Sequence, residues 1–147
     1  MSRVAVFAAC LSLALLLRGH TLGDPNYRND EAFYLLVGQQ LHQGATLYVD
    51  IWDRKPPGIF LIYYAATALP DPVLGYQLLA LLAASLTASV IARIVTRFAT
   101  MGAGLLCAGW YLSSLMILDG GGGQSPVFYN LCIVLAAFLV AFPARFS

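Results

Sequence analysis

Charged residues are scarce in this sequence. Only 10% of its 147 residues are charged, and the mean hydropathy is +0.76, whereas about a quarter of an ordinary soluble domain is charged. The net charge of +1, without any run of basic residues, excludes the electrostatic footprint of a nucleic-acid-binding protein. The three cysteines are odd in number and show no metal-ligand spacing. The composition therefore predicts an integral membrane protein.

Long uncharged runs predict helices that cross the membrane. Residues 73–92 and 99–118 each provide about 20 residues without a charge, which matches a hydrocarbon core of about 30 Å. Residues 127–142 form a shorter run with aromatic residues at both ends, as at a membrane interface. Residues 1–22 are expected to form the first span, with Arg18 snorkelling toward the lipid headgroups. The predicted fold is therefore all-α, with about four transmembrane helices.

The first span has an alternative interpretation. Its apolar part, 4–17, has the length of the hydrophobic region of a signal peptide. Arg18, Gly19 and His20 follow it in place of a small-residue cleavage site, which favours an uncleaved helix.

Most of the polar residues lie in the segment 23–58. Of the 8 basic and 7 acidic residues in the sequence, eight lie in this segment. Within it, residues 31–43 are predicted to form an amphipathic helix on the membrane surface, capped by Asn29 or Asp30 and ended by Gly44. The predicted apolar face of this helix consists of Phe33, Leu36, Val37 and Leu41.

The only lysine, Lys55, stands before two prolines. Pro56 or Pro57 is expected to begin a helix over 59–69, which is too short to cross a membrane and suits an interfacial or re-entrant position. A cation at a helix N-terminus, beside the accessible backbone of Gly58, favours the binding of a phosphate. The alternative is a lysine that snorkels toward lipid headgroups.

Asp30 and Glu31 also have two interpretations. A carboxylate in the first turn of a helix commonly caps the helix or interacts with its dipole. The functional alternative is a general base beside a second acid at the water boundary. The spacing alone does not decide between them.

The order of these elements resembles that of a known family. The Asp30-Glu31 pair opens an amphipathic helix, and Lys55-Pro56-Pro57-Gly58 follows about 25 positions later. This combination resembles the polyprenyl-phosphate-dependent glycosyltransferases of the GT-C class, which include protein O-mannosyltransferases and the lipid A aminoarabinose transferase. Members of the family run to several hundred residues, so the resemblance implies that this chain is the N-terminal part of such an enzyme.

The resemblance implies a site for sugar transfer at one membrane surface. Asp30 would be the base that accepts the proton of the acceptor hydroxyl, with Glu31 beside it. Lys55, with Arg54 and Gly58, would bind the phosphate of a polyprenyl-phosphate-linked sugar. A divalent cation is used by some members, and the sequence neither shows nor excludes one.

The resemblance also implies where the polar segments lie. The segment 23–58 and a second external loop, 119–126, would meet on the periplasmic or luminal side of an inner or plasma membrane. Clearer family members often place an acidic residue near the start of the following span, where this sequence instead has Gln124, and Asp119 lies several residues earlier. Asp119 and Gln124 are the candidate site residues of this loop. The four glycines at 120–123 predict a flexible turn, or alternatively a close approach to a bound sugar or lipid.

Charge counting does not determine the orientation in the membrane. If residues 59–69 do not cross, four positive residues fall on each side. The positive residues are then Arg3, Arg93, Arg97 and Arg145 on the inside and Arg18, Arg28, Arg54 and Lys55 on the outside. If they do cross, the count favours the first loop on the inside, by seven positive residues to one.

A function of a different class also fits the sequence. The chain would then be a small non-catalytic membrane protein, either a subunit or a lipid-binding module. In that case Lys55 would only hold phospholipid headgroups.

Overall fold

The computed structural model describes residues 1–25 and 29–143, and within these ranges the chain is built from helices. In chain order, the helices are α1 (Arg3–Arg18), α2 (Asn29–His42), α3 (Pro57–Thr67), α4 (Pro72–Val95), α5 (Met101–Ile117) and α6 (Ser125–Ala141). A 3-10 turn, Gly19–Thr21, extends α1. The all-α prediction is confirmed for the described residues. Arg28 and Arg145, which entered the charge count, lie outside them.

Helices α1, α4, α5 and α6 form an antiparallel bundle with α4 at its centre. α4 packs against the other three helices, and α1 also packs against α5. At Gly104 of α5, a β-carbon would collide with the carbonyl of Ala92 in α4, so these two backbones approach closely. Small side chains four residues apart form one helix face and permit such an approach. The buried core shows this spacing at Val6, Cys10 and Ala14 of α1 and at Ala80, Ala84, Ala88 and Ala92 of α4.

Two helices among the described residues are long and apolar enough to cross a membrane. They are α1 with its 3-10 turn, Arg3–Thr21, and α4, Pro72–Val95. α5 and α6 are apolar but have 17 residues each, which corresponds to about 26 Å of helix against a hydrocarbon core of about 30 Å. The length of the helices thus supports two membrane-spanning helices directly, and not all four of the predicted ones.

Helices α2 and α3 pack together at the end of the bundle where α1 ends and α4 begins. They share an aromatic core with α4, made of Tyr34, Phe60, Tyr63 and Tyr76. α3 has 11 residues and begins at Pro57, after Pro56 in extended conformation. The predicted proline start of this helix is therefore confirmed, and the helix is indeed too short to cross a membrane.

The apolar face predicted for α2 is partly wrong. Leu36 is 51% exposed, whereas the buried residues of α2 are Glu31, Tyr34, Val37 and Gly38. The reason is that α2 does not face a membrane surface alone but packs against α3. The two helices meet at Gly38, where a β-carbon would collide with the backbone of Tyr63. The buried face of α2 is therefore rotated, relative to the predicted apolar face, toward the contact with α3.

The chain between α2 and α3 is irregular but ordered by local hydrogen bonds. Gly44, with φ of +94°, follows the end of α2, which confirms the predicted left-handed stop. Leu47 and Ile51 form an isolated bridge, and the amide of Tyr48 donates to the carbonyl of Ile51 at 2.7 Å. Tyr48 itself has φ of 66°, a conformation that L-residues rarely adopt. This turn determines where the chain enters α3.

Candidate active site

The four glycines between α5 and α6, which we call the glycine loop (120–123), are buried. Arg18, at the end of α1, donates from Nη1 to the carbonyl of Gly120 and from Nη2 to the carbonyl of Gly122, both at 2.6 Å. Arg18 is only 3% exposed, so the prediction that it snorkels to the headgroups is wrong. A guanidinium inside an apolar bundle needs acceptors, and the turned backbone of the glycine loop provides them.

Glu31 lies directly against the glycine loop. It is the only glutamate of the sequence and is fully buried. Its Oε2 accepts a hydrogen bond of 2.7 Å from the hydroxyl of Tyr76 in α4. A β-carbon at Gly122 would overlap the Glu31 carboxylate, so a larger residue fits here only if this buried carboxylate moves.

The next glycine is packed between two aromatic rings. A β-carbon at Gly123 would lie 2.5 Å from the Tyr63 hydroxyl and 2.6 Å from the Tyr76 ring. The Tyr63 hydroxyl also donates to the carbonyl of Gly123 at 3.1 Å. The glycine loop is therefore a tightly packed element and not the flexible turn that the sequence favoured. These contacts also place the loop at the same end of the bundle as α2 and α3.

Asp30 faces away from its neighbour Glu31. Adjacent residues of a helix project about 100° apart, so the buried position of Glu31 leaves Asp30 exposed. Asp30 lines a cavity of about 650 Å³, the first cavity, together with Lys55, Asp119 and Gln124. Four of the predicted site residues thus come together, although they lie far apart in the sequence. Glu31 is not among the residues that line this cavity.

Asp119 reaches the first cavity because of the way α5 ends. Asp119 has φ of 61°, a left-handed conformation that aspartate tolerates better than most residues. The amide of Gly120 then bonds back to the carbonyl of Leu115 at 2.6 Å. This reversal sends the glycine loop into the bundle and leaves Asp119 at the cavity wall.

Two hydrogen bonds hold the backbone of Lys55 in place. Its amide donates to Oδ1 of Asp53 at 2.7 Å, and its carbonyl accepts a hydrogen bond of 2.6 Å from the Tyr48 hydroxyl. Its ammonium lies 5.8 Å from the centre of the Tyr34 ring. The Tyr34 side chain is the main reason that the pKa of Lys55 is raised, against the opposing effect of partial burial, and the Asp30 carboxylate adds to the increase. Lys55 is therefore a fixed cation at neutral pH.

A second cavity, of about 450 Å³, lies on the other side of Asp30 and Lys55. It shares Asn29, Asp30 and Lys55 with the first cavity. Arg54 lines this second cavity and not the first. The remaining lining residues are Phe33, Tyr34, Trp52 and Asp53. Asp30 and Lys55 therefore line two cavities, one of which also contacts the glycine loop and the other Trp52.

An apolar groove of about 370 Å³ runs between α3 and α6. Gly58 lines this groove and neither of the two polar cavities, and nothing lies within 4 Å of where its β-carbon would stand. Tyr129 lines both the groove and the first cavity. The apolar side chains of the groove come from Ile59 and Ile62 of α3 and from Phe128, Leu131 and Cys132 of α6.

Among the described residues, no group of three or more His, Cys, Asp and Glu side chains could hold a metal ion. No protein-family model, curated protein or solved structure matches this chain. The functional argument therefore depends on the geometry of the site and on the motif resemblance.

Sequence reasoning missed the residues that join the two polar segments. They are Arg18, Tyr63, Tyr76 and Gln77, whose side-chain amide bonds both the Gly23 amide and the Asp24 carbonyl. One signal was available, since polar groups within apolar helices need partners and commonly mark functional regions. The partners themselves lie between 45 and 104 positions away in the chain, beyond the reach of local patterns.

Proposed function

We propose that this chain forms the N-terminal part of a membrane glycosyltransferase that moves a sugar from a polyprenyl-phosphate donor to an acceptor hydroxyl. The observation that carries this proposal is the first cavity, in which a carboxylate from α2, a lysine from the turn before α3 and polar residues from the loop after α5 converge. A base and a cation on the same cavity are what such a displacement requires.

The proposed topology has four spans, α1, α4, α5 and α6, with α2 and α3 at the interface. The packing of α1, α5 and α6 around α4 supports it, because residues 19–25, 29–56 and 118–124 then lie at one end and residues 96–100 at the other. α5 and α6 are short, and a span shorter than the bilayer core is accommodated by local thinning or by snorkelling of flanking residues. We assign the end that carries Asp30 to the periplasmic or extracytoplasmic face of the inner or plasma membrane.

In the proposed reaction the acceptor oxygen attacks the anomeric carbon of the donor sugar. Asp30 accepts the proton of the acceptor hydroxyl as the new carbon–oxygen bond forms. The bond from the anomeric carbon to the phosphate oxygen breaks, and polyprenyl phosphate leaves with the electron pair. Lys55 stabilises the negative charge that grows on the leaving phosphate. Glu31 takes no part in the proton transfer, since it is buried against Tyr76 and Gly122.

The first cavity suits the sugar of the donor, and the apolar groove suits its polyprenyl chain. Asp119, Gln124 and Asn130 offer hydrogen-bonding groups to sugar hydroxyls in the first cavity. The apolar groove suits the polyprenyl chain, because it touches the first cavity at Tyr129 and opens next to Gly58, three positions after Lys55. Burial of prenyl groups in such a groove is favourable in proportion to the apolar area covered.

The experiment is sugar release from a radiolabelled polyprenyl-phosphate donor by membranes that contain the full-length gene product. The variant Lys55→Gln should raise the donor concentration needed for half-maximal rate by about tenfold or more, since a charge-assisted hydrogen bond is lost. The matched control is Arg3→Gln, at the start of α1 and thus at the opposite end of the bundle. Equal donor use by Lys55→Gln and the parent would contradict the proposal.

The non-catalytic alternative is favoured by one observation, the position of Lys55 next to an apolar groove. A lipid-binding module would hold a phospholipid there without consuming a sugar donor. Saturable phospholipid binding together with no sugar release by the full-length product would favour this second function.

A further inference from the structure

The charged residues of the chain are divided unequally between the two ends of the bundle. All 7 acidic residues, at positions 24, 30, 31, 50, 53, 71 and 119, lie at the end that carries the first cavity. Among the described residues, the opposite end has the arginines Arg3, Arg93 and Arg97 and no carboxylate. The end where α4 and α6 finish therefore carries positive charge that no acidic side chain of the described chain balances.

Two of these arginines are held against aromatic rings at the end of α6. The guanidinium of Arg93 lies 5.5 Å from the centre of the Phe138 ring, and that of Arg97 lies 5.2 Å from the centre of the Phe142 ring. The two rings are themselves 5.3 Å apart, and Phe98 packs on Phe142 at 5.9 Å. Cation–π contacts of this kind hold a guanidinium in place. The two arginines, four positions apart, are thus fixed as a pair.

The hydrogen-bond donors of this pair are unused. In the described part of the chain, neither guanidinium makes a hydrogen bond or an ion pair, although each has five N–H donors and a phenyl ring provides no acceptor oxygen. Interaction with the C-terminus of α4 is the simplest structural role for such arginines. The carbonyls of Ala92, Ile94 and Val95, however, already accept backbone amides. The N–H donors are therefore available to an acceptor from outside the described chain.

The surroundings of the pair indicate the chemistry of that acceptor. Two guanidinium groups suit a phosphate, which offers several charged oxygens. The neighbouring surface is apolar, since Phe98 is 80% exposed and Leu139 and Val140 of α6 are 64% and 82% exposed. Acyl chains would cover these side chains favourably, whereas a free phosphate ion or an acidic protein segment would leave them exposed. Unbalanced cations beside an apolar surface thus favour a phospholipid of net negative charge.

We propose that Arg93 and Arg97 bind the phosphate of an anionic phospholipid, in the leaflet at the end of the bundle opposite the first cavity. This inference goes beyond the proposed function, because it concerns a different ligand at the other end of α4. Each guanidinium donates to phosphate oxygens while it stays against its phenylalanine ring. Phosphatidylglycerol is preferred over phosphatidylcholine, because the choline cation would be repelled by the two arginines. Anionic lipids give the cytoplasmic leaflet its negative surface potential, which agrees with the orientation proposed above.

The test measures the lipid preference at this end of the bundle directly. The full-length product carries Phe98→Trp as a reporter, with Trp52→Phe and Trp110→Phe, and the same background with Phe98 retained gives the signal to be subtracted. Nanodiscs contain phosphatidylcholine with increasing fractions of phosphatidylglycerol that has brominated acyl chains, and bromine quenches a tryptophan that the lipid contacts. The reporter should show about a tenfold preference for phosphatidylglycerol, as expected for charge-assisted hydrogen bonds. Equal quenching by brominated phosphatidylcholine would overturn the inference.

The variants Arg93→Gln and Arg97→Gln test the two arginines one at a time. Each should reduce the preference for phosphatidylglycerol to about twofold or less, because each removes one of the two guanidinium partners of the phosphate. The matched control is Arg3→Gln, which removes the same charge from the same end of the bundle and should keep the preference above about fivefold. Preference retained in both site variants would overturn the inference. An equal loss in Arg3→Gln would show diffuse attraction in place of a site and would overturn it as well.

Two further measurements complete the test. Inorganic phosphate at millimolar concentration should leave the lipid preference unchanged, and its abolition would identify a site for a free anion and overturn the assignment to a lipid. The preference of the parent needs no substitution of either arginine, so it tests the inference even if a variant unfolds. Neither Lys55 nor a sugar donor enters these measurements. Failure of this inference therefore leaves the proposed function standing, and failure of the proposed function leaves this inference standing.

Discussion

The hydroxyl of Tyr76 donates a hydrogen bond of 2.7 Å to Oε2 of Glu31 and joins α4 to α2. Because of this contact, Asp30 and Glu31 have different positions in the structure. Glu31 points inward and anchors α2 to the bundle and to the glycine loop, whereas Asp30 points outward to the two cavities. The position of the carboxylate that can meet a substrate is thus set by its buried neighbour.

The anchoring role of Glu31 predicts a stability loss in Tyr76→Phe. This variant removes a hydrogen bond to a buried carboxylate, which contributes about 1.5–3 kcal/mol. The thermal midpoint of the detergent-solubilised protein should fall clearly, whereas Tyr64→Phe should leave it nearly unchanged. Tyr64 lies on α3 and stacks on His42, away from both cavities. Similar shifts of the thermal midpoint in the two variants would contradict the role of Glu31 as an anchor of α2.

The packing of the glycine loop predicts that Gly122→Ala is poorly tolerated. The new methyl group would overlap the Glu31 carboxylate, and overpacking of a filled site costs about 1–3 kcal/mol. The control is Gly102→Ala in α5, where a β-carbon has only an ordinary contact at 3.8 Å and alanine favours the helix. Thermal unfolding of both variants checks this, and equal midpoints would contradict the tight packing.

The raised pKa of Lys55 predicts a pH dependence of phosphate binding. The charged form is favoured, so binding should persist above the ordinary lysine pKa and be lost only as the pH rises through the higher value of the folded protein. Tyr34 is the main cause of the increase, Asp30 adds to it and Arg54 opposes it. The probe is geranylgeranyl phosphate, a prenyl phosphate without the sugar. Tyr34→Phe should therefore shift the alkaline loss of geranylgeranyl phosphate binding to lower pH, measured between about pH 9 and 12.

The control for this pH titration is Tyr64→Phe, in which the binding of geranylgeranyl phosphate should depend on pH as it does in the parent. An alkaline limb at the same pH in Tyr34→Phe and in the parent would show that the Tyr34 side chain does not act on Lys55.

The proposed topology predicts which positions are reached by a membrane-impermeant maleimide. In a Cys107→Ser, Cys132→Ser background, which removes the two exposed cysteines of the chain, Gln43→Cys should be labelled on intact cells. Ala99→Cys, at the other end of the bundle, should be labelled only after permeabilisation. The reverse pattern would contradict the orientation, and labelling of both from outside would contradict the four spans.

Local patterns predicted the helices well. Uncharged runs located α4, α5 and α6, the prolines located the start of α3, and Gly44 located the end of α2. These features depend on residues within one or two turns of each other. The grouping of Asp30, Lys55, Asp119 and Gln124 was expected from the motif resemblance, and the first cavity brings these residues together.

The tertiary contacts could not be predicted from the sequence. Arg18 was expected at the headgroups because the residue that binds it, Gly120, is 102 positions away. The periodicity of α2 could not reveal that its partner is α3 and not a membrane surface. The four glycines suggested flexibility because nothing local shows that Arg18, Glu31 and Tyr63 fill the space around them.

The assignment of Asp30 as the base is the central claim, and sugar transfer by Asp30→Asn tests it most directly. Asp30 is exposed, so the substitution should leave the fold and the membrane insertion intact. Asp71→Asn is the control, because Asp71 caps α4 at 3.0 Å and asparagine caps equally well.

The measurement is the rate of sugar transfer from a polyprenyl-phosphate donor by membranes that contain equal amounts of the full-length parent, Asp30→Asn and Asp71→Asn. The loss of a general base predicts a rate reduced by about a hundredfold or more in Asp30→Asn and an unchanged rate in Asp71→Asn. Transfer at the parental rate by Asp30→Asn would contradict the account.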